Sequence, residues 1–200
     1  MPGFLLRYIK RILHEKEVNE FMVKHGHLRD FDFIREVIDF MRLKVVVKGL
    51  ENLPDNGGFI LAANHPLGGL DGIALMHAVG QKRKDIRFLV NDILLYLGTM
   101  DNLFVPVNKH GKQQAKEKIE QAYRSENAVL IFPAGLVSRK NHGAIRDLDW
   151  KKSFIVKSQQ YKQQVVPCFI DGKNSNWFYN LSLWRRRFGI KANIEMFYLA

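Results

Sequence analysis

Two short uncharged runs constrain what this chain can fold into more than any other feature. Residues 59–63 (Phe-Ile-Leu-Ala-Ala) and 129–132 (Val-Leu-Ile-Phe) are apolar at every position. That is the pattern of strands covered on both faces, which occur in parallel sheets with helices on either side. Each run breaks where the backbone must turn, at Pro66 and Gly68-Gly69 after the first and at Pro133 and Gly135 after the second. Beyond the first turn Ile73, Leu75, Met76 and Val79 recur at helical spacing, with Asp71 placed to cap that helix. Buried strands that end in polar turns are how open α/β sheets build a site at their carboxyl edge.

The first turn carries candidate chemistry, because it can fold His65 back towards Asp71. A carboxylate that accepts a hydrogen bond from one imidazole nitrogen fixes the tautomer and makes the other nitrogen a better base. Taken alone, a strand-end histidine followed by a capping aspartate is also a common structural arrangement, so the second turn matters. Behind it crowd Ser138, Arg139, Lys140 and His142, which suit either a solvated charge run or a loop that meets an anionic group.

Asn64-His65-Pro66 with Asp71, then Phe132-Pro133-x-Gly135-x-x-Ser138, then Val165-Val166-Pro167 resemble the ordered blocks of the glycerol-phosphate and lysophospholipid acyltransferase superfamily. Three blocks in order are far more specific than any one of them. The resemblance implies a glycerol-phosphate acyltransferase-like fold and acyl transfer from a thioester of acyl carrier protein (ACP) or coenzyme A (CoA). It makes His65 the general base and Asp71 its orienting partner, with no metal, no other cofactor and no covalent nucleophile. Backbone N–H groups of Gly68 and Gly69 are expected to meet the oxyanion. Phe132, Pro133, Gly135, Ser138 and Arg139 are the expected acceptor-binding residues, with Asn108 and Lys109 as imperfect matches to an arginine of the family's second block.

Two departures narrow the reading. The five residues between His65 and Asp71 are one more than the family's usual spacing, and Ala134 and Val137 stand where the family has a glutamate and an arginine. The His-Pro-x-Gly-Gly-x-Asp-Gly form is similar to a bacterial, hemolysin-like branch that acylates lyso-aminolipids such as lyso-ornithine or lyso-glycine lipids. The implied function is O-acylation of a lyso-lipid hydroxyl. The alternatives are lysophosphatidic acid acyltransfer, hydrolysis with water as acceptor, and a catalytically silent basic membrane-binding module.

A net charge of +11 calls for an anionic partner, but nucleic acid, an anionic bilayer and an acidic carrier protein all qualify. Near the N-terminus Phe4, Leu5, Tyr8, Ile9 and Ile12 form one helical stripe, flanked by Arg7, Lys10 and Arg11. The stripe is too short and too charged to span a bilayer and has no signal-peptide pattern; such a helix lies in a membrane interface or packs on its own domain. In residues 174–188, Trp177, Phe178, Trp184 and Phe188 alternate with Arg185, Arg186 and Arg187, a mixture that suits the headgroup level of a bilayer. It would also stack single-stranded nucleic acid, but no RNA-binding motif accompanies it and no nucleic acid partner is expected. The expected location is peripheral, on the cytoplasmic face of the inner membrane. Cys168 is the only cysteine and reads as a small buried hydrophobe in a reducing compartment. His25-Gly26-His27 reads as a turn, since no third ligand follows at useful spacing.

The remaining pattern alternates strands and helices, which predicts an α/β fold with a mixed, largely parallel sheet flanked by helices. Residues 1–42 form an amphipathic helical region and residues 43–200 the acyltransferase domain. Strands are predicted over 43–47, 86–90, 103–107, 165–170 and 192–200. Helices are predicted over 93–97, capped by Asp92, over 112–124, and over 147–162 with Trp150, Phe154, Ile155 and Tyr161 inward. The last strand stops inside an apolar run, which suggests a truncated chain. The site is expected where the strands finish at Asn64, Val107 and Phe132.

Overall fold

A computed structural model describes residues 3–107, 112–141 and 143–199. Its main sheet has five strands in the order β3-β2-β4-β1-β7: β1 (Phe59–Ala63), β2 (Ile86–Val90), β3 (Phe104–Pro106), β4 (Ala128–Ile131) and β7 (Gln164–Cys168). Every pairing within it is parallel. The antiparallel component is confined to a separate ribbon of β5 (Arg139–Asn141) and β6 (Ala144–Arg146). The predicted α/β class holds, with the mixing of directions outside the main sheet.

The uncharged runs explain the layering. All five residues of β1 are buried, and they alternate between two apolar clusters. Phe59, Leu61 and Ala63 join Ala128 and Leu130 on the face covered by α3 (Asp30–Phe40) and α4 (Gly69–Val79). Ile60, Ala62 and Val129 face α5 (Lys112–Arg124) and α6 (Ser153–Tyr161), meeting Ala122, Tyr123 and Phe154. Phe33, Ile34 and Ile38 of α3 lie in the same cluster as the strands, so residues 30–40 share the sheet's core. By contrast α1 (Gly3–Ile12) buries no residue. It is followed by α2 (Glu15–His25), which contributes Phe21 to the core.

The strand order decides where a site can open. Neighbouring β1 and β4 lead their chains in opposite directions, β1 through α4 towards β2 and β4 through α6 back to β7. Chain order reverses between them, and the crevice at their carboxyl ends is the place where such sheets bind ligands. Gly72 lets α4 close on this region, since a Cβ there would come within 2.9 Å of the Phe88 ring.

Several predicted elements differ. Residues 43–47 alternate in burial as a strand would, and Leu43 and Val45 pack on the first cluster, but no strand pairs with them among the described residues. The helix predicted from 147 begins at Ser153, because the Lys151 N–H bonds the Pro133 carbonyl instead of a helical one. Trp150 and Ile155 are consequently exposed rather than inward. Strand β7 lies at the sheet edge and is only half-buried, a position that tolerates Pro167. Residues 194–198 wind into a 3-10 turn, not a strand, because the fully buried Glu195 turns inward to two arginines.

Candidate active site

His65 stands two residues beyond β1, and Asp71 lies in the first turn of α4. The glycine turn between them brings His65 Nδ1 within 2.9 Å of Asp71 Oδ2. Asp71 is not at the helix cap as the sequence suggested; it is the third residue of α4 and reaches back to the Gly68 N–H at 3.0 Å and the Leu67 N–H at 2.7 Å. Gly68 makes this possible with φ of +85°, and Leu199 occupies the space a side chain would need, 2.7 Å from its would-be Cβ. Three donors thus converge on one carboxylate oxygen whose side chain is wholly buried, which holds the carboxylate fixed against the ring. With Nδ1 as donor, Nε2 is the basic nitrogen, and it has no partner among the described residues.

The imidazole lies flat on Phe132, the residue after β4, with ring centroids 4.0 Å apart and planes 15° from parallel. Phe132 is in turn held edge-on by Phe88 of β2. The two organising turns therefore meet face to face, histidine from one and aromatic from the other.

The backbone around His65 is tied at every residue. Asn64 clamps Ile170 with two hydrogen bonds, at 2.9 and 2.6 Å. The His65 N–H donates to Asp147 Oδ1 at 3.1 Å, and the His65 carbonyl accepts from the Ser138 N–H at 2.8 Å. The Pro66 carbonyl accepts from Asn174 Nδ2 at 2.7 Å. Asp147 also accepts from Ser138 Oγ at 2.5 Å and, through Oδ2, from Trp150 Nε1 at 2.9 Å.

Other predicted site residues land differently. The Gly68 N–H is committed to Asp71 and is not free for an oxyanion. At the start of α4, Gly69 and Leu70 keep backbone N–H groups without an acceptor among the described residues. Pro133 is buried, and Gly135 is exposed with Lys151 Nζ beside it. Ser138 is buried with its hydroxyl turned to Asp147, and it does not face open space. Arg139 is also buried: it donates to the Val137 carbonyl, pairs with Glu195 at 3.1 Å and stacks over Phe178. Burial holds its guanidinium pKa below the usual value, with Glu195 opposing, and the side chain is spent on a buried ion pair. Asn108, Lys109 and His142 lie outside the described residues.

The expected membrane contacts also divide. Phe4, Leu5, Tyr8, Trp177 and Trp184 are exposed, and Ile9 and Ile12 are half-buried. Phe178 is fully buried beside Tyr179 and Val137, so it contributes nothing to an outer face. In α7 (Asn176–Arg187), Arg185 turns in to Glu195 at 2.8 Å and Arg186 donates to the Lys140 carbonyl, while Arg187 is exposed. The Tyr8 hydroxyl meets the Tyr198 hydroxyl at 3.1 Å, and Tyr198 touches Trp177 edge-on, which joins α1 to α7. No helix among the described residues is long and apolar enough to cross a membrane.

The acyltransferase family model matches residues 1–200. The chain belongs to the acyltransferase family. It is 45% identical to the lyso-glycine lipid O-acyltransferase of Bacteroides thetaiotaomicron, over all of this chain and 75% of that protein. It is 42% identical to the protein of the same name from Phocaeicola vulgatus, over all of this chain and 73% of that one. Among solved structures it is similar to the 1-acyl-sn-glycerophosphate acyltransferase PlsC of Thermotoga maritima, at 21% identity and a TM-score of 0.44, covering 84% of this chain and 60% of that one.

Sequence reasoning missed two parts of this acyltransferase site. Asp147 was absorbed into a predicted helix, and the one local sign of the turn before it is Gly143, with φ of +83° between β5 and β6. Asn174 had no local signal, since its partner Pro66 is 108 residues away.

Proposed function

We propose that this protein transfers a fatty acyl group from an acyl thioester to the hydroxyl of a lyso-aminolipid, with lyso-glycine lipid as the first candidate. The observation that carries the reading is the fixed His65-Asp71 pair with Nε2 left unpartnered at the mouth of the β1/β4 crevice. In this mechanism Nε2 takes the proton of the acceptor hydroxyl as its oxygen attacks the thioester carbonyl. Asp71 stabilises the imidazolium that forms. Collapse breaks the C–S bond, and the proton passes to the departing thiolate. The Gly69 and Leu70 N–H groups at the start of α4 are the donors best suited to the developing oxyanion, helped by the helix dipole.

The acceptor assignment is supported by the names of the two relatives and by the third block. Ala134 and Val137 are both buried, so apolar packing replaces the charged pair that the wider superfamily keeps for a phosphorylated glycerol. The donor is proposed to be acyl-ACP, because the +11 surface attracts an acidic carrier. The enzyme works as a peripheral protein on the cytoplasmic membrane face, held by α1 and the outer residues of α7.

Turnover tests the reaction, its acceptor and its donor together. The purified chain is given palmitoyl-ACP or palmitoyl-CoA with lyso-glycine lipid, lyso-ornithine lipid, glycerol 3-phosphate or lysophosphatidic acid, and products are read by mass spectrometry. A diacylated aminolipid, formed faster with ACP at low salt, is the expected result. A preference for either glycerol phosphate compound overturns the acceptor, and free fatty acid as sole product overturns transfer.

A further inference from the structure

Asp147 lies outside the superfamily blocks and does not touch the His65 ring, yet its contacts converge on the main chain that carries that ring. Its Oδ1 accepts the His65 N–H at 3.1 Å and the Ser138 hydroxyl at 2.5 Å. Ser138 meets the other side of the same residue, through its own N–H to the His65 carbonyl at 2.8 Å. The Ser138 hydroxyl has one proton and two acceptors in reach, Asp147 at 2.5 Å and the His65 carbonyl at 3.2 Å. The carboxylate oxygen, at the shorter distance, takes it. Both hydrogen-bonding groups of the His65 main chain are thus held by the segment that carries the β5-β6 ribbon, Ser138 just before it and Asp147 just after. Trp150 fixes the second Asp147 oxygen at 2.9 Å, so the carboxylate is itself oriented.

We infer that Asp147 is a positioning residue for acyl transfer: with Ser138 it locks the His65 main chain so that the ring stays between Asp71 and Phe132. The inference rests on His65 being the general base. Its physical content is that a catalytic group must be held to well under an ångström, and that misplacement of about 1 Å costs on the order of a hundredfold in rate. A turn bearing two glycines cannot hold that position by its own stiffness. The bonds across to residues 138 and 147 supply it.

Three variants test this: Asp147→Ala, Asp147→Asn and Ser138→Ala. An asparagine can keep one carbonyl oxygen facing both the His65 N–H and the Ser138 hydroxyl and loses only the bond from Trp150, so it should recover most of what alanine loses. With palmitoyl-ACP and lyso-glycine lipid, Asp147→Ala is expected to lower kcat by about a hundredfold with little change in KM, and Asp147→Asn by under about tenfold. Ser138→Ala should fall between, and its effect should not add to that of Asp147→Ala. Imidazole nitrogen NMR of histidine-labelled protein gives a readout independent of turnover. The His65 Nδ1 proton, slow to exchange in the wild type and in Asp147→Asn, should exchange rapidly in Asp147→Ala and Ser138→Ala. A kcat in folded Asp147→Ala within about threefold of wild type overturns the positioning role. So does an unchanged Nδ1 proton in Ser138→Ala, should the Asp147 variant not fold. Full activity in His65→Ala removes the general base itself, and is distinguished because the NMR arm still reports the loop.

Discussion

Two hydrogen-bonded side-chain pairs sit at opposite ends of the sheet's strands, Arg83-Asp85 and His65-Asp71, and they differ in one respect that separates structure from chemistry. At the amino edge Arg83 grips Asp85 with two bonds, at 2.8 and 2.6 Å, and gives its remaining protons to the carbonyls of Pro54, Gly57 and Glu126. Its side chain is 7% exposed and no donor is left over. At the carboxyl edge Asp71 Oδ2 is just as fully used, but its partner His65 is bonded at one ring nitrogen only and keeps 17% of its side chain exposed. A cavity of 370 Å³ beside Arg83 is lined by Asp55, Asp85 and Glu126, and the cation in that lining, Arg83 itself, is already satisfied. A pair built for stability closes all its valences, whereas a pair built for catalysis leaves one open.

The comparison breaks first if His65 proves dispensable. His65→Ala is expected to lower acyl transfer by at least about a hundredfold while leaving thermal unfolding nearly unchanged. Circular dichroism melts beside turnover assays would check both halves. Asp71→Asn should cost less, about ten- to a hundredfold. Because two backbone N–H groups also point at Oδ2, the amide oxygen must take that place, so the His65 tautomer survives and only the charge opposite the imidazolium is lost. Equal losses in the two variants would mean that Asp71 does more than hold charge and orientation.

The amino-edge pair should answer in the opposite way. Arg83→Met is expected to destabilise the fold by about 1–3 kcal/mol, since it strips the half-buried Asp85 carboxylate and the Pro54, Gly57 and Glu126 carbonyls of their donor, and to leave kcat of the folded enzyme unchanged. The hydrogen bond from Arg83 holds the Asp85 carboxyl below its ordinary range. A depressed folded pKa contributes stability that is complete above the unfolded value of about 3.9 and is lost as pH falls through the folded one. The stability gap between wild type and Arg83→Met should therefore narrow below about pH 4, measurable by urea unfolding at several pH values. A gap that widened in acid would sink this account.

How far the sequence carried can be argued from the same residues. The two uncharged runs and their Pro/Gly breaks locate β1, β4 and the crevice, because complete burial of a strand leaves its mark on every residue. His65, Asp71 and Phe132 were legible since each lies within a few residues of those breaks. What was not legible depends on partners far along the chain. The carboxylate of Asp147 meets the His65 backbone 82 residues away, and Arg139 finds Glu195 across 56 residues. A basic residue looks solvated until its partner is known, which is why Arg139 read as an acceptor ligand and Arg185 as a membrane contact, although both pair with the buried Glu195. Phe178 differs for a related reason: in a helix where seven of twelve residues are aromatic or basic, periodicity does not announce the inner face.

The smallest effect concerns Phe132 and sharpens the comparison most finely. Arg83 also lies over an aromatic ring, that of Phe59 at 5.4 Å, where the contact fills space beneath an ion pair. Under His65 the ring is parallel and close, at 4.0 Å, so it limits how far the imidazole can tilt about its bond to Asp71. Such a contact is worth about 0.5–1.5 kcal/mol beyond its buried area. Phe132→Leu keeps most of the volume and loses the flat face, so kcat should fall by about two- to tenfold with KM for the lipid acceptor little changed. Phe132→Tyr keeps the face and should stay near wild type in kcat. If leucine instead raised KM alone, Phe132 would be a wall of the acceptor pocket, as the family blocks first suggested, and not a support for the base.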